Sequence, residues 1–279
     1  MTVKIVTDTL SDITSTLAEE LGLTVVPLYV RFGDEIFKDR VEITSEEFYR
    51  RLVYEDILPS TTQPTPHDFI TVYEELAKET DEILVIVVSS KLSGTYQSAT
   101  QAIDMIKTNC KINVVDSMRV AMAEGLIVMS AANAVKNGAN LDDATEHARK
   151  AVSRSHLVAY FDTLKYLAKG GRIGKAQGLL GSMLSVKPIL TIKDGEMAPL
   201  TRVRSLNGGF DHLHGVVANA GKLESLAVEH ATTPDDADKL VERFSSIYPK
   251  DDIHRSVISP VIGTYAGPNA LAVSFLTAE

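Results

Sequence analysis

The chain has 279 residues, 44% of them apolar, and a mean hydropathy near zero, enough for one large or two ordinary soluble domains and unlike a disordered chain. No apolar run approaches the ~20 residues that a membrane-spanning helix needs, and a single cysteine, Cys110, excludes an internal disulfide or a multi-cysteine metal site. A net charge of −9 with scattered basic residues argues against a nucleic-acid binder.

Val3 to Thr7 reads as a short strand without the basic-then-apolar layout of a signal peptide, so a cytoplasmic location is expected. Ser11 to Leu21 has helical spacing. Leu23 to Phe32 is extended, with Pro27 marking an edge or a bend. Thr44 and Glu47 form a capping-box pattern for the next helix. Pro59 to Pro66 is a polar loop, and Thr65-Pro66 caps and opens another helix. Glu82 to Val88 is almost continuously apolar, as in a strand buried on both faces of a parallel sheet. A loop over Ser89 to Thr95, a helix to about Lys107, a strand over Lys111 to Val115 and helices near 119–136 and 141–153 follow.

The second half begins with a strand over His156 to Phe161 and helices near 163–169 and 174–184. Lys187 to Leu200 reads as a hairpin turning at Asp194-Gly195. A helix near 206–220, strands at 223–230, 252–258 and about 270–276, and a helix near 235–246 complete the chain. The fold class is therefore α/β with two domains, 1–154 and 155–279. The first is a layered, mostly parallel sheet flanked by helices, the second a mixed sheet with helices.

Four local patterns could carry chemistry. Ser89 to Thr95 follows the most buried strand and opens a helix, where free backbone N–H groups favour an anion. Ser93 and Thr95 add hydroxyls, and Gly94 allows close approach; the bland alternative is that they only cap the helix. In Thr61-Thr-Gln-Pro-Thr65, Thr61 or Thr62 could face Ser93, while Thr65 reads as a cap. Arg172 stands among the glycines of Lys165 to Gly174, where Gly170 or Gly171 could close a helix; it could bind an anion or cover a helix end. Gly263 and Gly267-Pro268 bracket a bend that presents the phenol of Tyr265. His212 and His214 do not share a helix face and read as solvated. Asp8 and Asp116 read as caps at strand ends. No metal-binding or nucleophile-elbow motif is present.

Six blocks in order resemble the DegV family of bacterial proteins. They are Val6 to Asp12, Thr62 to Thr65, Ser93 to Thr95, Leu164 to Ile173, Lys187 to Leu190 and Gly263 to Pro268. The resemblance runs from about residue 3 to the end. It implies a non-enzymatic carrier that holds one long-chain fatty acid in a closed tunnel, with no cofactor or metal. Its partner would be the catalytic subunit of a fatty acid kinase, which phosphorylates the bound carboxylate for phospholipid synthesis; transient membrane contact is compatible with this role. The resemblance assigns carboxylate binding to Ser93 and Thr62, with Thr61 as alternative, and sets Arg172 and Arg204 near the kinase-facing surface. The family usually has histidine where Tyr265 stands and glycine where Asn269 stands, so the third head-group contact differs here. Two rival readings are a binding module for another small anion and a hydrolase or acyltransferase using Ser93.

Overall fold

The computed structural model describes residues 2–55, 57–179 and 186–279. The first half comprises β1 (Lys4–Asp8), α1 (Ser15–Leu21), β2 (Leu23–Val26), β3 (Tyr29–Phe32), β4 (Glu35–Lys38), α2 (Ser45–Tyr54), β5 (Ser60–Thr62), α3 (Pro66–Leu76), β6 (Glu82–Val87), α4 (Thr95–Met105), β7 (Lys111–Asp116), α5 (Met122–Lys136) and α6 (Leu141–Arg154). The second comprises β8 (Ser155–Tyr160), α7 (Lys165–Gly170), β9 (Lys187–Lys193), β10 (Glu196–Val203), α8 (Leu206–Ala218), β11 (Leu223–His230), α9 (Pro234–Phe244), β12 (His254–Val257), α10 (Pro260–Ala266) and β13 (Leu271–Thr277).

A parallel sheet in the order β2-β1-β6-β7 forms the first layer. Its β6 is the near-continuous apolar run, with Ile83 to Val87 fully buried because helices cover both faces. Phe69 and Tyr73 of α3 and Ala99 and Ala102 of α4 pack on one face. Helices α5 and α6 pack on the other. The chain moves from β1 outward to β2, then returns across β1 to β6. That reversal leaves a crevice beyond the carboxyl ends of β1 and β6, where open α/β sheets bind ligands.

The second sheet has the order β10-β9-β8-β13-β11-β12 and is antiparallel except for the β11–β12 pair. Every residue from Met122 to Ala132 of α5 is buried, the mark of a helix with packing on all sides. The helix lies against β1 and β6 on one side and against β8, β11 and β13 on the other. The hairpin turns at Asp194-Gly195, both with positive φ (55° and 81°), as the sequence indicates.

The structure also differs from the sequence expectations. Pro27 splits the run over 23–32, sending β2 to the edge of the parallel sheet and β3 to a separate antiparallel sheet, β4-β3-β5. The sequence reading missed β4, which follows the two-residue turn Gly33-Asp34. It also missed β5, whose three residues are all polar and pair only through their backbone with β3. Helix α1 starts at Ser15, since Thr14 is its cap and Asp12 is left-handed. Thr44 caps α2, but Glu47 pairs with Arg50 instead of completing the box. The box forms instead at α3, between Thr65 and Asp68. A 3-10 helix covers Gly174–Leu179, and the rest of the helix expected to 184 lies outside the described residues. The Tyr265 bend is the helix α10, with Pro260 in its first turn and Gly267 closing it.

Candidate functional site

An almost wholly apolar cavity occupies the crevice. It encloses about 710 Å³ of atom-free space, part of it open to solvent. Leu10 follows β1, Val120 and Ala121 precede α5, Leu157 and Ala159 come from β8, and Val261 and Ala266 from α10. Both sheets therefore contribute walls. The backbone N–H of Ala121 donates to the Leu10 carbonyl at 2.7 Å. Ala121 holds φ 61°, ψ −158°, a region that is costly for any residue but glycine and is tolerated where the surroundings impose it.

The cavity adjoins a small polar chamber. Leu10, Leu92, Val261, Arg172 and Tyr265 border both spaces, and Leu28, Thr61, Thr62, Gln63 and Ser93 complete the chamber. The Thr61 hydroxyl and the Tyr265 phenol oxygen lie 2.5 Å apart. Ser93 Oγ is 2.8 Å from Thr95 Oγ1 and accepts the Thr95 N–H. Gly94 is the N-cap residue of α4, and Ser93 Oγ takes the first N–H of that helix.

Arg172 follows the left-handed Gly171, which ends α7. Its guanidinium lies 5.0 Å from the Tyr265 ring centroid, within cation–π range. It donates to the carbonyls of Gly170 (3.0 Å) and Leu92 (3.4 Å), which fixes it beside the loop that carries Ser93. None of the ion pairs among the described residues involves Arg172, so its charge is available to a guest. A second, outward-facing depression shares Thr61, Arg172 and Tyr265 and adds Lys169 and Tyr166. Two glycines permit this arrangement. A Cβ on Gly170 would fall 2.3 Å from Tyr265 Cδ1, and one on Gly94 would fall 2.3 Å from the Gln63 amide.

The structure therefore brings Ser93, Thr61, Thr62, Tyr265 and Arg172 together. Thr61 is half-buried and bonded to Tyr265, whereas Thr62 is exposed. Thr95 is buried behind Ser93 and supports it. Arg204, exposed just past β10, borders neither space. Gln63 was missed, although it stands inside the Thr-Gln-Pro block; only the fold shows it lying on Gly94. No histidine or carboxylate is hydrogen-bonded to Ser93 among the described residues, which removes the usual activation of a serine nucleophile. Elsewhere, Asp8 caps the 3-10 turn after β1 and also accepts the Val88 N–H. Asp116 holds the Ser90 and Met118 N–H groups, clamping a loop instead of capping a helix. His212 and His214 are half-buried, not solvated, with His214 stacked 5.8 Å from Phe244. The described residues contain no cluster suited to a metal ion. Among them, no helix is long and apolar enough to cross a membrane.

A DegV family profile, described as "uncharacterised protein, DegV family", matches residues 2–278. A DegV domain-containing protein of Caldanaerobacter subterraneus is 35% identical over 277 residues, covering 98% of each chain. Protein DegV of Bacillus subtilis is 31% identical over 280 residues, again covering 98% of each. The solved fatty-acid-binding DegV family protein of Thermus thermophilus superposes with a TM-score of 0.92 at 29% identity, covering 100% of both chains. That of B. subtilis DegV, described as a fatty acid binding protein, does so with 0.91 at 30% identity, also over 100% of both. The chain belongs to the DegV family.

Proposed function

We propose that this chain is a fatty-acid carrier. One long-chain fatty acid lies in the apolar cavity between two domains, residues 1–154 and 155–279. Its carboxylate sits in the polar chamber, held by Ser93, Thr61, Tyr265 and the α4 N-terminus, with Thr62 at the rim and Arg172 as counter-charge. The observation that carries the reading is the shared wall of these two spaces: an apolar cavity beside hydroxyls and a guanidinium that forms no ion pair among the described residues. Relatives at 29% and 30% identity described as fatty-acid-binding support it.

The energetics divide the labour. Burying about fourteen methylenes at ~0.8 kcal/mol each contributes on the order of 11 kcal/mol before ordering costs. A hydrogen bond to a carboxylate contributes roughly 1.5–3 kcal/mol. The tail therefore sets affinity, and the chamber sets orientation. We further propose that the carrier presents the oriented carboxylate to a separate kinase subunit in the cytoplasm. A carboxylate oxygen forms a bond to the terminal phosphorus of ATP as ADP leaves, and the acyl phosphate serves phospholipid synthesis. Arg172, Lys169 and the more distant Arg204 provide positive charge on the side a nucleotide-bearing partner would approach.

Mass spectrometry of lipid extracted from the purified native protein tests the reading. About one fatty acid per chain is the expected result. An empty protein that also fails to take up added oleate or palmitate would overturn it.

A further inference from the structure

The hairpin between β9 and β10 reaches out of the second sheet and seats its turn on the loop that carries Ser93. The Ser89 hydroxyl, fully buried, donates to the Gly195 carbonyl at 2.8 Å. The same oxygen accepts the Lys91 N–H at 3.2 Å, and the Ser89 carbonyl accepts the N–H groups of Leu92 (2.9 Å) and Ser93 (3.1 Å). The Ser89 N–H in turn donates to the Arg119 carbonyl at 2.9 Å. Every polar group of Ser89 is thus engaged, and among these bonds the one to Gly195 alone reaches the second half of the chain.

The turn fits this seat closely. Gly195 has φ 81°, and a Cβ there would fall 2.6 Å from Ser89 Oγ and 2.9 Å from Met118 Cε, so only glycine fits. Asp194 beside it pairs with Lys175 at 2.7 Å, just past Arg172. Gly174 packs against the outgoing strand: its Cβ would fall 2.7 Å from the Met197 carbonyl, and Met197 lines the apolar cavity. Arg172 closes the circuit by donating to the Leu92 carbonyl at 3.4 Å. Asp116 pins the outer side of the loop, accepting the Ser90 N–H at 3.2 Å and the Met118 N–H at 2.9 Å. One hairpin tip therefore touches two of the segments that bring polar groups to the chamber, the Ser89 to Ser93 loop and the Arg172 to Lys175 segment.

We propose that Ser89 is a positioning residue for the head-group site, and that its latch to Gly195 holds the Ser93 hydroxyl and the Arg172 guanidinium in the register in which both meet one carboxylate. The inference rests on the fatty-acid reading. Ser89 itself borders neither the cavity nor the chamber, so it acts through Ser93 and not on the ligand. Gly195 is buried, and without the Ser89 hydroxyl its carbonyl loses that donor, which favours lifting the tip off the loop. The apolar walls that hold the tail stay in place, so orientation is lost before affinity.

The test is carbon-13 NMR of the full chain loaded with oleate labelled at its carboxyl carbon. Wild type should give one narrow bound resonance. Ser89→Ala should bind oleate within about threefold of wild type, yet its resonance should broaden and move towards that of Ser93→Ala. Adding Ser89→Ala to Ser93→Ala should move it no further, because both changes remove one arrangement. Ser155→Ala is the control: it deletes another buried hydroxyl bond, from Ser155 to the Ala123 carbonyl at 2.6 Å, at a residue that does not border the chamber. It should lower Tm by a similar amount and leave the resonance in place. Gly195→Ala, whose Cβ displaces the tip, repeats the test from the other side should Ser89→Ala fail to fold. A wild-type resonance in the latch variants would overturn the proposal. So would a shift in the double variant equal to the sum of the single ones, or the same shift in Ser155→Ala. Amide hydrogen exchange separates the latch from the ligand. With no oleate present, the N–H groups of Leu92 and Ser93 should exchange about fivefold faster or more in Ser89→Ala. Faster exchange in a chain that never takes up oleate would uphold the latch and refute the carrier; unchanged exchange in the latch variants would overturn the latch.

Discussion

The Thr61 hydroxyl and the Tyr265 phenol oxygen meet at 2.5 Å across 204 residues of sequence. The contact ties the short strand β5 to the last turn of α10 and closes the polar chamber on one side. Tyr265 stands where the resemblance to the DegV family leads one to expect histidine. A phenol can accept from Thr61 or donate to a carboxylate, but it brings no positive charge near neutral pH. Arg172, stacked over the same ring, brings that charge to the chamber instead.

Tyr265→Phe should weaken oleate binding about fivefold, the loss of roughly 1 kcal/mol for one hydrogen bond. Gly170→Ala should do the same by another route, because its Cβ would occupy the place of the Tyr265 ring edge. Titration calorimetry with oleate measures both. If both variants bind as wild type does, Tyr265 is no head-group ligand.

Ser93→Ala should weaken oleate binding by about tenfold at most, since the buried tail dominates affinity. If the proposed hand-over to a kinase subunit holds, phosphorylation should fall by about 100-fold or more, because a misoriented carboxylate loses its near-attack geometry. The informative quantity is the ratio of the two losses. Equal losses would show that Ser93 binds without orienting.

How far the site could be read in the sequence depends on what kind of signal each part leaves. The strand β6 is legible because five successive residues, Ile83 to Val87, are apolar and buried on both faces. The Asp194-Gly195 turn is legible because few residues tolerate positive φ. The Ser93 loop stands out because it joins that strand to a helix. The strand β5 leaves no such trace: Ser60, Thr61 and Thr62 have loop composition and become a strand only through pairing with β3. The helix α10 spans seven residues, too few to show a period, and Gly263 within it suggests a bend until Phe48 and Tyr49 are seen packed against it. The burial of Asp12 and Glu229 is a product of tertiary structure, invisible to any local pattern.

Asn269 shows a local requirement met by an unusual residue. Its φ is 62°, and the resemblance to the DegV family leads one to expect glycine there. Asparagine visits this region more readily than other side chains, and Asn269 exchanges hydrogen bonds with Thr232: Oδ1 accepts at 3.1 Å and the backbone N–H donates at 3.3 Å. Asn269→Gly should leave stability within about 0.5 kcal/mol of wild type. Asn269→Ala keeps the strain without the amide and should cost about 1–2 kcal/mol, a Tm loss of roughly 2–6 °C. Thermal unfolding separates the two; equal melting would remove the backbone argument.

Asp39 yields a pH dependence of stability. Burial pushes its carboxyl up to about 7, against the opposing influence of Arg40 and the Thr9 hydroxyl, while Asp12 and Asp8 reinforce the rise. Its native pKa thus lies above the unfolded one, and folding takes up a proton between the ordinary carboxylate range and about 7. The stability linked to that proton is fully present below the ordinary range, declines as pH rises towards neutrality, and is gone above the native value. Exposed carboxylates held low by ion pairs, such as Glu79 with Lys4 and Asp142 with Lys111, act in the opposite sense below their own range. Stability should therefore peak in mildly acidic solution. Asp39→Asn removes the buried charge while keeping the side chain's size. It should exceed wild type by more at about pH 8 than at about pH 5, the gain between the two being on the order of 2–3 kcal/mol. Denaturant unfolding at the two pH values measures this. A variant that is less stable than wild type at the higher pH would mean that the Asp39 carboxylate is stabilised by its surroundings, and the pH dependence would then have to come from the other buried acids, Asp8 and Glu124 among them.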